Sequence, residues 1–222
     1  MPTLYQRITL ALLQIKQHIK REMKKWLAIS VLALVFIFIS ALFWYSEWRY
    51  SLPTPVPATY HTINTGTYVD LTDAAFSFPS NKPVFLHFFN PDCPCSKFNV
   101  PHFKSLVTAY ADKINFAVIV MTRDKRCTAD QVKKKYGLTV PVLLDTGLAR
   151  ACGVYSTPQA VLLDNQHALY YRGNYNKSRY CTNSKSNYAQ MAIDSLLAFH
   201  AHPEFTRQAL TAYGCTLPTC KK

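Results

Sequence analysis

Between Lys25 and Glu47 there is no charged side chain. Trp26 through Ser46 is an unbroken run centred on Leu32-Ala33-Leu34-Val35-Phe36-Ile37-Phe38-Ile39. As a helix such a run crosses roughly 30 Å of hydrocarbon, the core thickness of a bilayer. This feature predicts a single membrane span over 26–46. Trp26 at one end and Trp44, Tyr45 and Trp48 at the other are placed for the two headgroup layers. A cleaved signal peptide has an apolar core of about 7–15 residues and ends in small residues. This run is longer and ends in aromatics, which points to an uncleaved anchor.

The flanks set an orientation. Arg7, Lys16, Lys20, Arg21, Lys24 and Lys25 stand against the single acid Glu22 on the N-terminal side, whereas Glu47 and Arg49 open the other. The positive-inside rule then predicts a cytoplasmic basic segment over 1–25 and a C-terminal domain on the far side, periplasmic in a bacterial inner membrane. Leu4, Ile8, Leu12, Ile15 and Ile19 fall at helical spacing, as for an amphipathic helix lying on the inner surface from Leu4 to Lys20.

The net charge of +13 would ordinarily raise nucleic acid as a partner, but topology accounts for much of it. The basic N-terminal segment is what an anionic inner leaflet attracts, making membrane lipid the expected partner there. The one dense run elsewhere, Lys133-Lys134-Lys135, fans around a helix as a solvated face. No basic motif comes with an aromatic stacking platform, so no nucleic-acid partner is expected.

After the span, Leu52-Pro53-Thr54-Pro55-Val56-Pro57 alternates proline with small residues and reads as an extended linker over 47–59. A folded domain is expected over 60–202, with a cysteine-containing tail over 203–222. Within it, short apolar runs alternate with helical stretches: strand 84–89, helix 97–111, strand 114–121, helix 129–136, strand 141–144 and a short helix over 148–152. Two further strands, 159–163 and 168–172, are separated only by Asp164-Asn165-Gln166-His167, which makes an antiparallel hairpin. A last amphipathic helix, 188–199, covers one face. The pattern predicts an α/β fold with a central mixed sheet flanked by helices.

The chemistry is announced by Cys93-Pro94-Cys95-Ser96, where the apolar run Val84–Phe89 gives way to a helix. Unpaired N–H groups at a helix N-terminus favour thiolate over thiol, so a cysteine there is nucleophilic. The bland reading, two small apolar residues at a turn, is disfavoured by the placement of both at a helix start.

The order of elements, the strand-to-helix position of Cys93 and Ser156-Thr157-Pro158 ahead of a hairpin together resemble a thioredoxin-fold protein over residues 60–200. The likeness is to the membrane-tethered redoxins, which include TlpA- and ResA-like proteins and peroxiredoxins. Phe89 to Ser96 resembles a small group of bacterial membrane proteins with a C-P-C-S motif. The resemblance implies a cis-proline at Pro158 beside the redox cysteine, with Thr157 receiving the substrate backbone. Against the family's usual C-x-x-C motif, Ser96 occupies the resolving position and the second thiol has moved to Cys95.

The leading expectation is a thiol–disulfide oxidoreductase or isomerase. Cys93 attacks, Cys95 resolves, and protein thiols and disulfides or a membrane redox partner are the reactants. A Cys93–Cys95 bridge closes a small strained ring and favours the oxidising or isomerising direction. No cofactor is needed. The alternative is a Sco-like copper chaperone, in which Cys93 and Cys95 hold Cu(I) with His87 or His102 as a third ligand. A thiol peroxidase is further off, because Asn90 stands where peroxiredoxins carry Thr or Ser.

Seven cysteines in an extracytoplasmic domain allow disulfides, and an odd count leaves one over. Cys215 and Cys220 are candidates for a small terminal loop. Cys127 and Cys181, which follow strands ending on the active-site side, are candidates to pair or to relay electrons to Cys93. Spacing alone leaves the connectivity open.

Overall fold

The computed structural model describes residues 4–71, 78, 81–144, 147–198 and 204–217, with side chains from residue 15 onward. It divides into two compact units at the Ser51/Leu52 junction.

The first unit is one continuous helix, α1 (Leu4–Ser51), of 48 residues, about 72 Å at 1.5 Å per residue. It contains the apolar run and is long and apolar enough to cross a membrane. The helix passes unbroken through the stretch expected to lie on the inner surface. Of the apolar positions proposed for that surface, Ile15 and Ile19 are exposed, and the side chains of the earlier three lie outside the described residues.

The second unit is built on a five-stranded mixed sheet. In chain order its elements are β1 (Val84–Phe89), α2 (Pro94–Tyr110), β2 (Asn115–Val120), α3 (Ala129–Tyr136), β3 (Val142–Leu143), α4 (Gly147–Ala151), β4 (Ser156–Thr157), β5 (Gln159–Leu163), β6 (Leu169–Gly173), α5 (Tyr188–Leu197), α6 (Arg207–Leu210) and β7 (Cys215–Thr216). The sheet runs β3-β2-β1-β5-β6, with β1, β2 and β3 parallel and β5 and β6 antiparallel. This is the thioredoxin-like fold. The expected hairpin is β5–β6; its turn is tied by Asp164 Oδ1, which accepts from the N–H groups of Gln166 and Ala168 at 2.9 and 2.8 Å.

Every residue of β1 is buried, because both faces of the sheet are covered. Phe85 and Phe89 point into a core with Val100, Phe103 and Leu106 of α2 and Ala189, Ala192 and Ile193 of α5. Leu86 and Phe88 point the other way, against Val69, Leu148, Cys152 and Val154. α3 starts with a capping box, Thr128 with Gln131, and stops at Gly137 in the left-handed region, φ 57°. Its three lysines are exposed, as the sequence predicts.

A separate two-stranded pair, β4 with β7, stands beside the main sheet, with Ser156 opposite Thr216 and Thr157 opposite Cys215. This pairing brings the C-terminal segment, expected only as a tail, onto the strand before Pro158.

Candidate redox site

The site is assembled where β1 ends. Asn90 folds the chain back: its Oδ1 accepts from Asp92 N at 2.8 Å and its carbonyl from Cys93 N at 3.1 Å. Cys93 is therefore the N-cap of α2, in extended conformation, and its carbonyl accepts from Lys97 N at 3.3 Å. Pro94 takes the first helical position, where a missing N–H costs nothing. The helix thus begins three residues earlier than the pattern predicted, and both cysteines lie in its opening turn. Asp92, just before Cys93, is exposed.

Cys93 Sγ is bonded to Cys215 Sγ, 122 residues further on, with a Cα–Cα distance of 6.1 Å. The same sulfur lies 3.5 Å from the Thr157 carbonyl oxygen, and the Thr157–Pro158 peptide bond is cis. Cys93 is 1% exposed and Thr157 fully buried. A disulfide is thus enclosed between a helix N-terminus, the cis-proline segment and the strand that carries Cys215. Reduced, Cys93 has the N-terminal dipole of a 17-residue helix to favour its thiolate.

This connectivity differs from the expected one at three points. The described bond runs from Cys93 to Cys215, not to Cys95, so the strained C-x-C ring does not enter. Cys215 is engaged with Cys93 rather than with Cys220, which lies outside the described residues. Cys127 and Cys181 are separate thiols.

Cys95 faces the core from the first turn of α2 and is 3% exposed. Its carbonyl accepts from Asn99 Nδ2 at 3.2 Å, and Asn99 Oδ1 accepts from Cys181 Sγ at 3.1 Å. Burial pushes the Cys181 thiol up to about 12, so it stays protonated near neutrality. Burial raises the Cys127 thiol too, with smaller contributions from the charges of Asp124 and Asp92. Ser96, at the usual resolving position, is fully buried and accepts from Asn90 N at 3.2 Å.

The two histidines named for the copper alternative lie in different settings. His87 is enclosed in the core, stacked on Phe103 at 4.6 Å between ring centroids, and its Nδ1 is 2.6 Å from the Tyr175 hydroxyl. Burial lowers its pKa to about 3, so the imidazole is neutral. His102 is half-buried beside Tyr175. Among the described residues no three His, Cys, Asp or Glu side chains converge as a metal site.

Thr54, Ser156 and Gly214 take roles at the site that no local pattern assigned to them. Thr54 is 4% exposed and 2.8 Å from Ser156 Oγ; its N–H donates to Ala212 O at 2.8 Å and its hydroxyl approaches Gly214 O at 3.2 Å. Ser156 Oγ donates to Cys215 O at 3.2 Å. Gly214 lies so close to β4 that a Cβ there would collide with the Thr157 carbonyl. Nothing local distinguishes these residues, since each acts across a long sequence separation.

A cysteine at the N-cap of the helix after the central strand, disulfide-bonded beside a cis-proline, marks the candidate site of this thioredoxin-like fold. Residues 65–219 match a family described as a domain of unknown function, DUF6436, and the chain belongs to that family. A curated relative, the thiol-disulfide oxidoreductase ResA of Halalkalibacterium halodurans, is 30% identical over 88 residues, 39% of this chain and 49% of the relative. The chain spans about half the length of that relative. A hypothetical protein from Sinorhizobium meliloti superposes with a TM-score of 0.56 at 20% identity, covering 71% of this chain and 96% of the other. An uncharacterized conserved protein from Geobacillus kaustophilus does so with 0.57 at 18% identity, covering 76% and 100%. These two likenesses speak to the fold alone.

Proposed function

We infer that the domain is a membrane-tethered thiol–disulfide oxidoreductase of the ResA-like kind whose working pair is Cys93 and Cys215. The observation that carries this reading is the Cys93–Cys215 bond, held against Thr157 at the N-terminus of α2. Cys93 is the nucleophile. Its thiolate attacks one sulfur of a partner disulfide, and the partner's other sulfur leaves with the electron pair and takes a proton. Cys215, deprotonated, then attacks Cys93 Sγ; the Cys93–Cys215 bond forms and the partner's second thiol is released. Two electrons pass from the domain to the partner. Run in reverse, the Cys93–Cys215 disulfide accepts two electrons from a partner dithiol. Continued turnover draws on a dithiol donor in the first direction and a disulfide acceptor in the second.

Thr157 and Pro158 line the place where the partner chain lies beside Cys93. The apolar helix anchors the domain, and the charge asymmetry of its flanks supports a cytoplasmic N-terminus with the domain in an oxidising compartment such as the periplasm. Cys95 supports the site from within, through the backbone of the first helical turn.

Trapping tests the reading. Reduced full-length protein in detergent is mixed with a model protein disulfide and quenched with acid. Cys215→Ser is expected to accumulate a covalent complex through Cys93, while Cys95→Ser resolves and releases its partner. The opposite pattern assigns resolution to Cys95.

A further inference from the structure

We propose that the segment Ala212–Leu217 is a tethered occupant of the partner-binding edge. An extended partner segment enters only when this strap leaves, and it enters in the strap's own register, with glycine immediately before its cysteine. The inference rests on the thiol–disulfide exchange reading and adds to it what the edge selects and what guards it.

The strap lies on β4 as an incoming strand would. Cys215 is opposite Thr157 and Thr216 opposite Ser156 in antiparallel register, and Leu217 N donates to Tyr155 O at 3.3 Å. That is strand addition to a sheet edge, in which main-chain bonds supply attraction and side-chain fit supplies selection. The register places the strap's sulfur on Cys93. A foreign cysteine reaching Cys93 Sγ along the same edge meets the same carbonyls and the same side chains.

The fit is selective at one position. A Cβ at residue 214 would collide with the Thr157 carbonyl oxygen and come within 3.2 Å of Ser156 Oγ. Both are buried parts of β4 that have little room to yield. The residue before the cysteine must therefore present no side chain to this edge, which only glycine satisfies. Cys215 itself is preceded by Gly214.

The strap is held firmly enough to block and lightly enough to leave. Besides the disulfide it is held by the two-residue pairing, by Leu217 N on Tyr155 O, by Ser156 Oγ on Cys215 O, by Tyr213 N on Asn174 Oδ1 at 3.4 Å, by Leu217 against the core, and by Thr54, whose N–H donates to Ala212 O and whose hydroxyl lies 3.2 Å from Gly214 O. An isolated two-stranded pair is marginal in water. Thr157 Oγ1 is buried with no protein hydrogen-bond partner while the strap is in place, so the strap leaves one polar group of the edge unused. Opening the Cys93–Cys215 bond leaves the strap held by non-covalent contacts alone, and the edge is exchanged between strap and partner.

The test uses reduced full-length protein in detergent carrying Cys215→Ser, alone or with Gly214→Val or Thr54→Val. The added changes weaken the strap by collision or by loss of its supporting hydroxyl, so each checks the other if one misfolds. Three probes are offered: cystamine, and two peptides alike except for Gly-Cys or Val-Cys, each with its cysteine as a mixed disulfide with thionitrobenzoate. Cys93, its thiol proton lost to solvent, attacks the peptide sulfur as thiolate, the peptide–thionitrobenzoate S–S bond breaks, and thionitrobenzoate leaves as the coloured thiolate. Mass mapping confirms attachment at Cys93.

The rate for the Gly-Cys peptide relative to cystamine is expected to rise about tenfold on adding either strap change, the equivalent of one to two hydrogen bonds. The Gly-Cys peptide is expected to outpace the Val-Cys peptide by a similar factor. Equal relative rates with and without the strap changes, or no preference for glycine, overturn the inference while leaving exchange chemistry intact. Failure of cystamine to modify Cys93 overturns the exchange reading itself and this inference with it.

Discussion

Thr157 and Cys215 face each other across an antiparallel pair, and the sulfur bonded to Cys215, that of Cys93, lies 3.5 Å from the Thr157 carbonyl. The residue before the cis-proline thus lies against both ends of the disulfide.

The bond closes a long loop, since its cysteines are 122 residues apart. Cross-links of this span restrict the unfolded chain strongly and typically stabilise by about 2–4 kcal/mol. Reduction, or Cys215→Ser, is expected to lower unfolding stability by about that amount, read from urea curves followed by near-ultraviolet circular dichroism. An unchanged midpoint on reduction would show that the bond is not formed in the folded protein.

His87 makes stability depend on pH. Its folded pKa of about 3 lies below the ordinary value of 6.5, so between these values the unfolded chain binds the extra proton and the folded state does not. Stability is therefore full above about pH 6.5 and falls as pH drops, by about 1.4 kcal/mol per pH unit at the steepest. The double variant His87→Leu/Tyr175→Phe removes the imidazole without stranding the tyrosine hydroxyl. It is expected to flatten the dependence between pH 6.5 and 5, and an unaltered slope in thermal unfolding would rule His87 out as its source.

Cys181 is expected to be chemically quiet. With its thiol pushed up to about 12 and its Sγ donating to Asn99, its thiolate at pH 7.5 is about a thousandfold scarcer than that of an ordinary cysteine. Timed iodoacetamide labelling of the native protein, read by peptide mass, should find Cys181 modified slower by that order. Fast labelling would place it in an open, polar setting.

Much of the framework was legible because it is encoded locally. The uncharged run from Trp26 to Ser46, the apolar strand before Cys93, the hairpin around Asp164 and the helix over 129–136 each carry a short-range pattern, and each forms its expected helix or strands. The position of Cys93 at a helix start was equally local. Its partner was not. Cys95 and Cys220 are near neighbours of Cys93 and Cys215 in sequence, and proximity suggested them. The actual pairing is decided by β4 and β7 meeting in space, which depends on Gly214 permitting close approach and on Thr54 bridging the two. His87 lies on a strand whose burial is legible locally, but its tyrosine partner is 88 positions away.

The central claim, that Cys93 and Cys215 form the working couple, is tested most directly by redox titration with site mapping. Full-length protein in detergent is equilibrated across glutathione ratios, quenched with an alkylating agent and digested. The account predicts one reversible two-electron transition in which the Cys93 and Cys215 peptides become linked together, while Cys95 is alkylated at every ratio once the protein is unfolded. A Cys93–Cys95 bridge, or a Cys215 peptide that stays alkylated across the whole range, would contradict it.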